Sequence, residues 1–105
     1  MKQYRIQITD GALSDMEEIY KYIAEQLRAP EAAMGQYNRI ADAIETLDIF
    51  PERVKLMETE EERELELRQI TVDSFSVFFH IRDERVIITS VLYSASDIAK
   101  RLRDS

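Results

Sequence analysis

The stretch LELRQITVDSFSVFFHIRDERVIITSVLYSASDIAKRL, from Leu65 to Leu102, decides the architecture. Two apolar runs, Phe75 to Ile81 and Val86 to Tyr93, flank the charged break Arg82, Asp83, Glu84 and Arg85. Both runs are rich in Phe, Val and Ile, which fit a pleated, half-buried surface, so the pair reads as a β-hairpin. In the first run Phe75, Val77, Phe79 and Ile81 alternate with Ser76, Phe78 and His80. In the second, Val86, Ile88, Ser90 and Leu92 alternate with Ile87, Thr89, Val91 and Tyr93. One row of each strand is expected to meet a core and the other to form a semi-polar face. Upstream, Leu65, Leu67 and Ile70 around Arg68 suggest another strand, with a bulge if Leu67 and Ile70 share a face.

Working outward, Tyr4 to Thr9 (YRIQIT) alternates with period two and reads as a first strand, broken at Thr9-Asp10-Gly11. Thr9 or Asp10 is placed to cap a helix, and Asp15, Glu17 and Glu18 favour its positive end. Leu13, Met16, Tyr20, Ile23 and Leu27 then recur at the spacing of one helix face, widened by Ile19. Ala29-Pro30 interrupts the stripe, and Pro30 suits the first turn of a second helix, where a missing N–H costs nothing. Ala33, Tyr37, Ile40, Ile44 and Leu47 carry the stripe on, with Met34 and Ala41, to the stop at Phe50-Pro51. So short a link predicts an antiparallel helical hairpin whose remaining apolar surface is covered by the sheet, with Leu13, Tyr37 and Val77 in one cluster. Glu52 to Glu64 reads as a mobile excursion whose Leu56-Met57 pair touches the core. After Tyr93, Ser94 or Ser96 caps a short terminal helix bearing Ile98 and Leu102.

A chain of 105 residues supports one domain, taken as 1–105, with a single core. No apolar run approaches the roughly 18 residues of a membrane span, and no signal-peptide pattern opens the chain, so a cytoplasmic location and no membrane partner are expected. With 0 cysteines, disulfides, thiolate metal sites and cysteine nucleophiles are excluded. There is no Asp-rich calcium loop, no His-x-x-His pair and no glycine-rich phosphate loop, so neither a metal nor a cofactor is expected. A net charge of −7 argues against broad attraction to nucleic acid. The acidity is concentrated in Glu58, Glu60, Glu61, Glu62, Glu64 and Glu66, a solvated run or a surface for a basic partner segment, whereas Lys100, Arg101 and Arg103 make the end basic.

The segments YRIQIT (4–9), ALSDMEEIYKYIAEQL (12–27), AIETLDIFPER (43–53) and LRQITVDSFSVFFHIRDERVIITSVLYSASDI (67–98) together resemble the RelE/ParE superfamily of toxins from bacterial type II toxin–antitoxin systems. The resemblance implies an α+β fold: an N-terminal strand, then an antiparallel helical hairpin packed on a twisted, mainly antiparallel sheet of about four strands, and a short C-terminal helix. It also implies a neutralising antitoxin encoded alongside. RelE-like members cleave messenger RNA on the ribosome with basic side chains; ParE-like members inhibit DNA gyrase without a catalytic site of their own. The nuclease's strand arginine falls near Ser76, and its basic pair after the last strand on Ala95-Ser96, so both cationic positions are lost here. A well-placed donor to a transition-state anion is worth about 3 kcal/mol, and its loss favours the ParE-like branch.

In that branch the expected partners are a cognate antitoxin and DNA gyrase, with a homodimer left open; in the alternative they are the ribosome and messenger RNA. A degenerate, non-toxic binding module is a third reading. If the chain is a nuclease, the candidate catalytic residues are Arg68 for phosphate, His80 as a neutral base and Tyr93 at the end of the last strand. Each has a plainer role as an ion pair, a strand packing residue or an amphipathic rim group. For partner binding the candidates are Phe78, as an uncovered aromatic anchor on the semi-polar face, with Ser76, Arg68 and Arg101.

Overall fold

The computed structural model describes residues 3–57 and 59–94. Strand β1 (Arg5–Ile8) leads into helix α1 (Asp10–Lys21) through Thr9, whose extended backbone lets its Oγ1 accept the Ala12 N–H at 3.1 Å. The same hydroxyl donates to the Ile88 carbonyl at 3.0 Å. One side chain thus closes the helix start, a contribution of about 1 kcal/mol, and ties it to the sheet. Helix α1 runs into a single wider turn, Tyr22–Gln26, where Leu27 N–H donates to Tyr22 O at 3.1 Å across five residues. Arg28, in the left-handed region at φ 52°, reverses the chain, and Pro30 opens helix α2 (Pro30–Glu45).

The first helix keeps the middle of the stripe its spacing suggested but not the two ends. Ala12 and Met16 are buried and Ile19 packs on the core, whereas Leu13 and Leu27 are 39% and 57% exposed. Leu13 therefore lies outside the cluster that holds Tyr37 and Val77. A small Ala12 lets the helix sit close to the sheet, and the five-residue turn moves Leu27 off the apolar face. Helix α2 follows its expected stripe: Ala33, Ile40 and Ile44 are buried, followed by Leu47 in a tight turn (Thr46–Asp48). Tyr37 meets Tyr20 edge to face at 6.3 Å, closing the helical hairpin. The stop at Phe50 is a left-handed residue, φ 49°, and Arg53 donates to the freed carbonyls of Ile49 and Phe50 at 2.8 and 3.0 Å.

Strands β2 (Arg68–Val72), β3 (Phe75–Arg82) and β4 (Arg85–Tyr93) join β1 in a four-stranded sheet of order β1-β4-β3-β2. β2, β3 and β4 pair antiparallel, and β1 runs parallel to β4. A parallel neighbour requires a crossover, which the helical hairpin supplies. The helices cover the face bearing Val77, Phe79, Val86 and Ile88.

In β3 the alternation holds along the strand, but in β4 it changes. Phe78 pairs with Ser90 and Phe79 with Ile88, leaving Thr89 as a bulge residue whose hydroxyl donates to Phe78 O at 3.3 Å. Beyond it Val91, not Ser90, joins Val86 and Ile88 in the core, and Leu92 turns to the opposite face. Leu67 and Ile70 need no bulge, because they occupy opposite faces: Ile70 packs on the core under the helices, and Leu67 joins Phe78 and Leu92 on the other side.

The excursion after Pro51 is more ordered than its polarity suggested. Leu56 bridges to Arg68, Met57 N–H donates to Leu67 O at 3.0 Å, and the Met57 side chain packs on the second cluster. A short helix α3 (Glu60–Glu64) carries part of the acidic run, with Glu60, Glu61 and Glu64 exposed. The helix expected after Tyr93, and with it Arg101, lies outside the described residues.

Helix α2 is clamped to the β2–β3 turn by Asp73, whose carboxylate accepts from Arg39 Nε at 2.7 Å and Gln36 Nε2 at 3.1 Å. These two donors hold the Asp73 carboxyl below its ordinary value of 3.8. A lowered folded value means the clamp's stabilisation is fully present above the unfolded carboxylate's value and is lost as pH falls through the folded one. Thermal unfolding of the native protein and Asp73→Asn checks this: the native protein's advantage should shrink on acidification from about pH 6 to about pH 3. An advantage that stays constant over that range would contradict it.

Candidate functional site

The structure scatters the residues singled out as a nuclease set. Arg68 sits at the start of β2, paired with Phe79, and its guanidinium donates to the Val54 carbonyl, bracing the segment that precedes the acidic run. Tyr93 pairs with Phe75 at the other end of β3, its ring edge-on to Phe75 at 5.7 Å. Phe75 and Phe79 are four positions apart, roughly 13 Å along a strand, so Arg68 and Tyr93 stand well apart. His80 belongs to the opposite face. Burial, and then the neighbouring Arg82, hold its imidazole below the ordinary histidine value against a weaker opposing effect of Glu66. It is therefore neutral at pH 7, but it has neither Arg68 nor Tyr93 beside it.

The partner-binding candidates on that face are also corrected. Phe78 is 0% exposed, packed against Leu67, Leu92 and Met57, and is no uncovered anchor. Ser76 is equally buried; its Oγ accepts from Gln69 Nε2 at 2.7 Å and shares a 2.6 Å hydrogen bond with Ser94 Oγ. That neutral chain occupies the place where the resemblance would put an arginine. Sequence periodicity separated this face from the core row, and of the Leu56-Met57 pair expected to touch the core, Met57 packs instead on this second face, against the cluster of Leu67, Phe78 and Leu92.

A well-formed groove lies elsewhere among the described residues, between the end of the first helix and the ends of β3 and β4. Its volume is about 640 Å³, with Ile19, Tyr22, Ile23 and Leu27 on the helical side and Phe75, Val91 and Tyr93 on the sheet side. Tyr22, Leu27 and Tyr93 are 57–58% exposed, an unusual density of large apolar groups open to solvent. The charged groups lining it are both acidic, Asp15 and Glu18. Tyr93 was singled out from sequence, but Tyr22 was not: its exposure depends on the five-residue turn, which helical periodicity does not encode.

Two further features define what the site can do. β1 ends at Ile8 opposite Ile88, so among the described residues β4 has no neighbouring strand on that side from Thr89 onward. Within that open length Asp15 Oδ2, reaching over from α1, accepts the Val91 N–H at 3.0 Å. The arrangement suits binding of a polypeptide segment better than chemistry on a small substrate, because apolar walls and backbone groups dominate it. No group of three or more His, Asp or Glu side chains among the described residues is arranged to hold a metal ion. Nor is any described helix long and apolar enough to cross a membrane.

Comparison with known proteins agrees with this architecture. The chain superposes on a structure of the chromosomal ParDE toxin–antitoxin system from P. aeruginosa with a TM-score of 0.75 at 18% identity, covering 90% of this chain and 100% of that one. It also superposes on a chain of the toxin–antitoxin complex RelBE2 from Mycobacterium tuberculosis, with a TM-score of 0.59 at 16% identity, covering 87% of this chain and 98% of the other. At such identities the likeness is one of fold. No curated protein matches the sequence significantly. The family model for the ParE toxin of the type II toxin–antitoxin system parDE matches residues 6–98. With nearly the whole described chain inside that match, and with the helical hairpin laid on a four-stranded sheet as in its structural relatives, the protein belongs to the ParE toxin family of the RelE/ParE superfamily.

Proposed function

We propose that this ParE-family toxin acts in the cytoplasm by binding a cellular target of the DNA gyrase class, and that a cognate antitoxin holds it silent. The observation that carries the mode of action is the dispersal of Arg68, His80 and Tyr93, so that these three do not form a convergent acid, base and phosphate-binding cation among the described residues. Cleavage of RNA by 2′-hydroxyl attack needs those groups within hydrogen-bond reach of one phosphodiester. The neutral Ser76 chain supports the same conclusion, because it offers no positive charge to a developing phosphorane. The antitoxin is supported by the parDE system named in the family description and by the ParDE and RelBE2 systems to which the structural relatives belong.

Expression of the chain alone and together with the protein encoded beside it tests both parts. Growth arrest with signs of DNA damage, relieved by co-expression, is the expected result. Purified toxin is then expected to inhibit DNA supercoiling by gyrase. New transcript ends within translated messages would replace this mode of action with RNA cleavage. Unimpaired growth in both cultures would remove toxicity altogether.

A further inference from the structure

We propose that the cross-strand row Arg5, Arg85 and Arg82, on the sheet face turned away from the helices, docks a carboxylate-bearing patch on the toxin's protein target. This rests on the target-binding reading above and names the surface that carries it.

The sheet register assembles the row. Arg5 of β1 lies opposite Arg85 of β4, and Arg85 lies opposite Arg82 of β3. Their sequence neighbours Ile6, Val86 and Ile81 pack on the core beneath the helices, so the three arginines project from the other face. Neighbouring strands lie about 4.8 Å apart, which places the three stems within about 10 Å of one another. Like charges set directly opposite each other weaken strand pairing, and here that happens twice in succession, at residues that are all exposed. The chain supplies little relief. Glu66 pairs with Arg82 at 3.7 Å, with the two side chains 57% and 53% exposed, and Arg85 donates to the neutral Gln7 Oε1 at 3.1 Å. Among the described residues neither Arg5 nor Arg85 enters an ion pair.

The surroundings select the partner. Gln3, Asp83 and Glu84 share with Arg5 and Arg85 a concavity of about 250 Å³, open to a side-chain head group. A continuous polyanion such as a DNA backbone would lay phosphates against Asp83 and Glu84 as well as against the arginines, and the net charge of −7 adds to that repulsion. An Asp or Glu on a folded protein brings one isolated carboxylate, which a guanidinium grips through two parallel hydrogen bonds. Beside the arginines, Gln7, Ile87 and His80 form the next cross-strand row and continue the same face. The row stands at the start of β4 and the apolar groove at its end, roughly 25 Å along the strand, so the two surfaces are separate.

Inhibition of supercoiling by purified gyrase tests the row, with native toxin compared with the double variants Arg5→Gln with Arg85→Gln and Arg5→Glu with Arg85→Glu. The neutral variant is expected to need ~10-fold more toxin for half inhibition, and the charge-reversed one ~100-fold more. Affinity for the co-expressed antitoxin is expected to stay unchanged, and the Tm of the neutral variant to equal or exceed that of native toxin, because a like-charge opposition is gone. Native toxin that leaves gyrase active removes the target reading and this proposal with it. Half inhibition unchanged in both folded variants overturns the row alone. A lower Tm in the neutral variant makes the arginines structural and overturns it too, as does an equal loss of antitoxin affinity. Binding of native toxin to a short DNA duplex that both variants lose assigns the row to phosphate and overturns the polypeptide partner.

Discussion

Replacing Phe78 with alanine is expected to lower the unfolding free energy by about 3–5 kcal/mol. Phe78 is 0% exposed, on the sheet face turned away from the helices, with Leu67, Leu92 and Met57 packed around it. Truncating the ring removes its transfer energy and leaves a cavity that strand backbones on both sides prevent from collapsing. For a domain whose total stability is typically about 5–15 kcal/mol, that loss is a large share. Urea unfolding of Phe78→Ala beside Phe50→Ala makes the comparison, because Phe50 is 61% exposed and its ring contributes little burial. A loss below about 1 kcal/mol at Phe78 would mean that the second cluster does not exist in solution and that the residue is after all a surface group.

The β3–β4 turn is expected to respond in the opposite direction. Asp83 and Glu84 both occupy the left-handed region, at φ 48° and 66°, as a two-residue hairpin turn requires. Asparagine and glycine suit those positions, whereas a glutamate there suffers a clash between its Cβ and the carbonyl. The double substitution Asp83→Asn with Glu84→Gly should raise stability by about 1–2 kcal/mol, allowing for the added freedom of glycine in the unfolded chain. In a domain of this size that corresponds to an increase in Tm of roughly 4–8 °C per kcal/mol. The hydrogen bond from Arg5 N–H to Glu84 O at 3.0 Å uses backbone atoms and survives the change. An unchanged or lower Tm would show that the Glu84 side chain contributes more than its backbone strain costs.

Both results bear on why the candidate site was only partly legible. The Ser76, Phe78, His80 row was correctly separated from the core row of β3, because period-two alternation is a local property of an extended chain. Its burial was not legible. Covering Phe78 depends on Met57, which is distant in sequence and brought there by the Leu56–Arg68 bridge. The Arg68, His80, Tyr93 set has a related limit: three residue types were assembled from sequence order, whereas register places them on different faces and at different ends. The groove has no linear signature at all. It exists because β1 stops four strand positions into its pairing with β4 and because the helix opposite contains a five-residue turn.

Local chemistry alone determined the order of the four strands and the two long helices, the helical hairpin broken at Pro30 and ended at Phe50-Pro51, the tight charged turn between β3 and β4, and the kinship those features carry. These depend on hydrophobic period, capping and backbone restriction, which act over a few residues. Tertiary structure decided which residues became solvent-facing: the bulge at Thr89 that moved Val91 inward, the rotation that exchanged Leu13 for Ala12, and the open β4 edge beside Asp15. Each of these is set by how two elements distant in sequence pack and register against each other, and no local pattern records that.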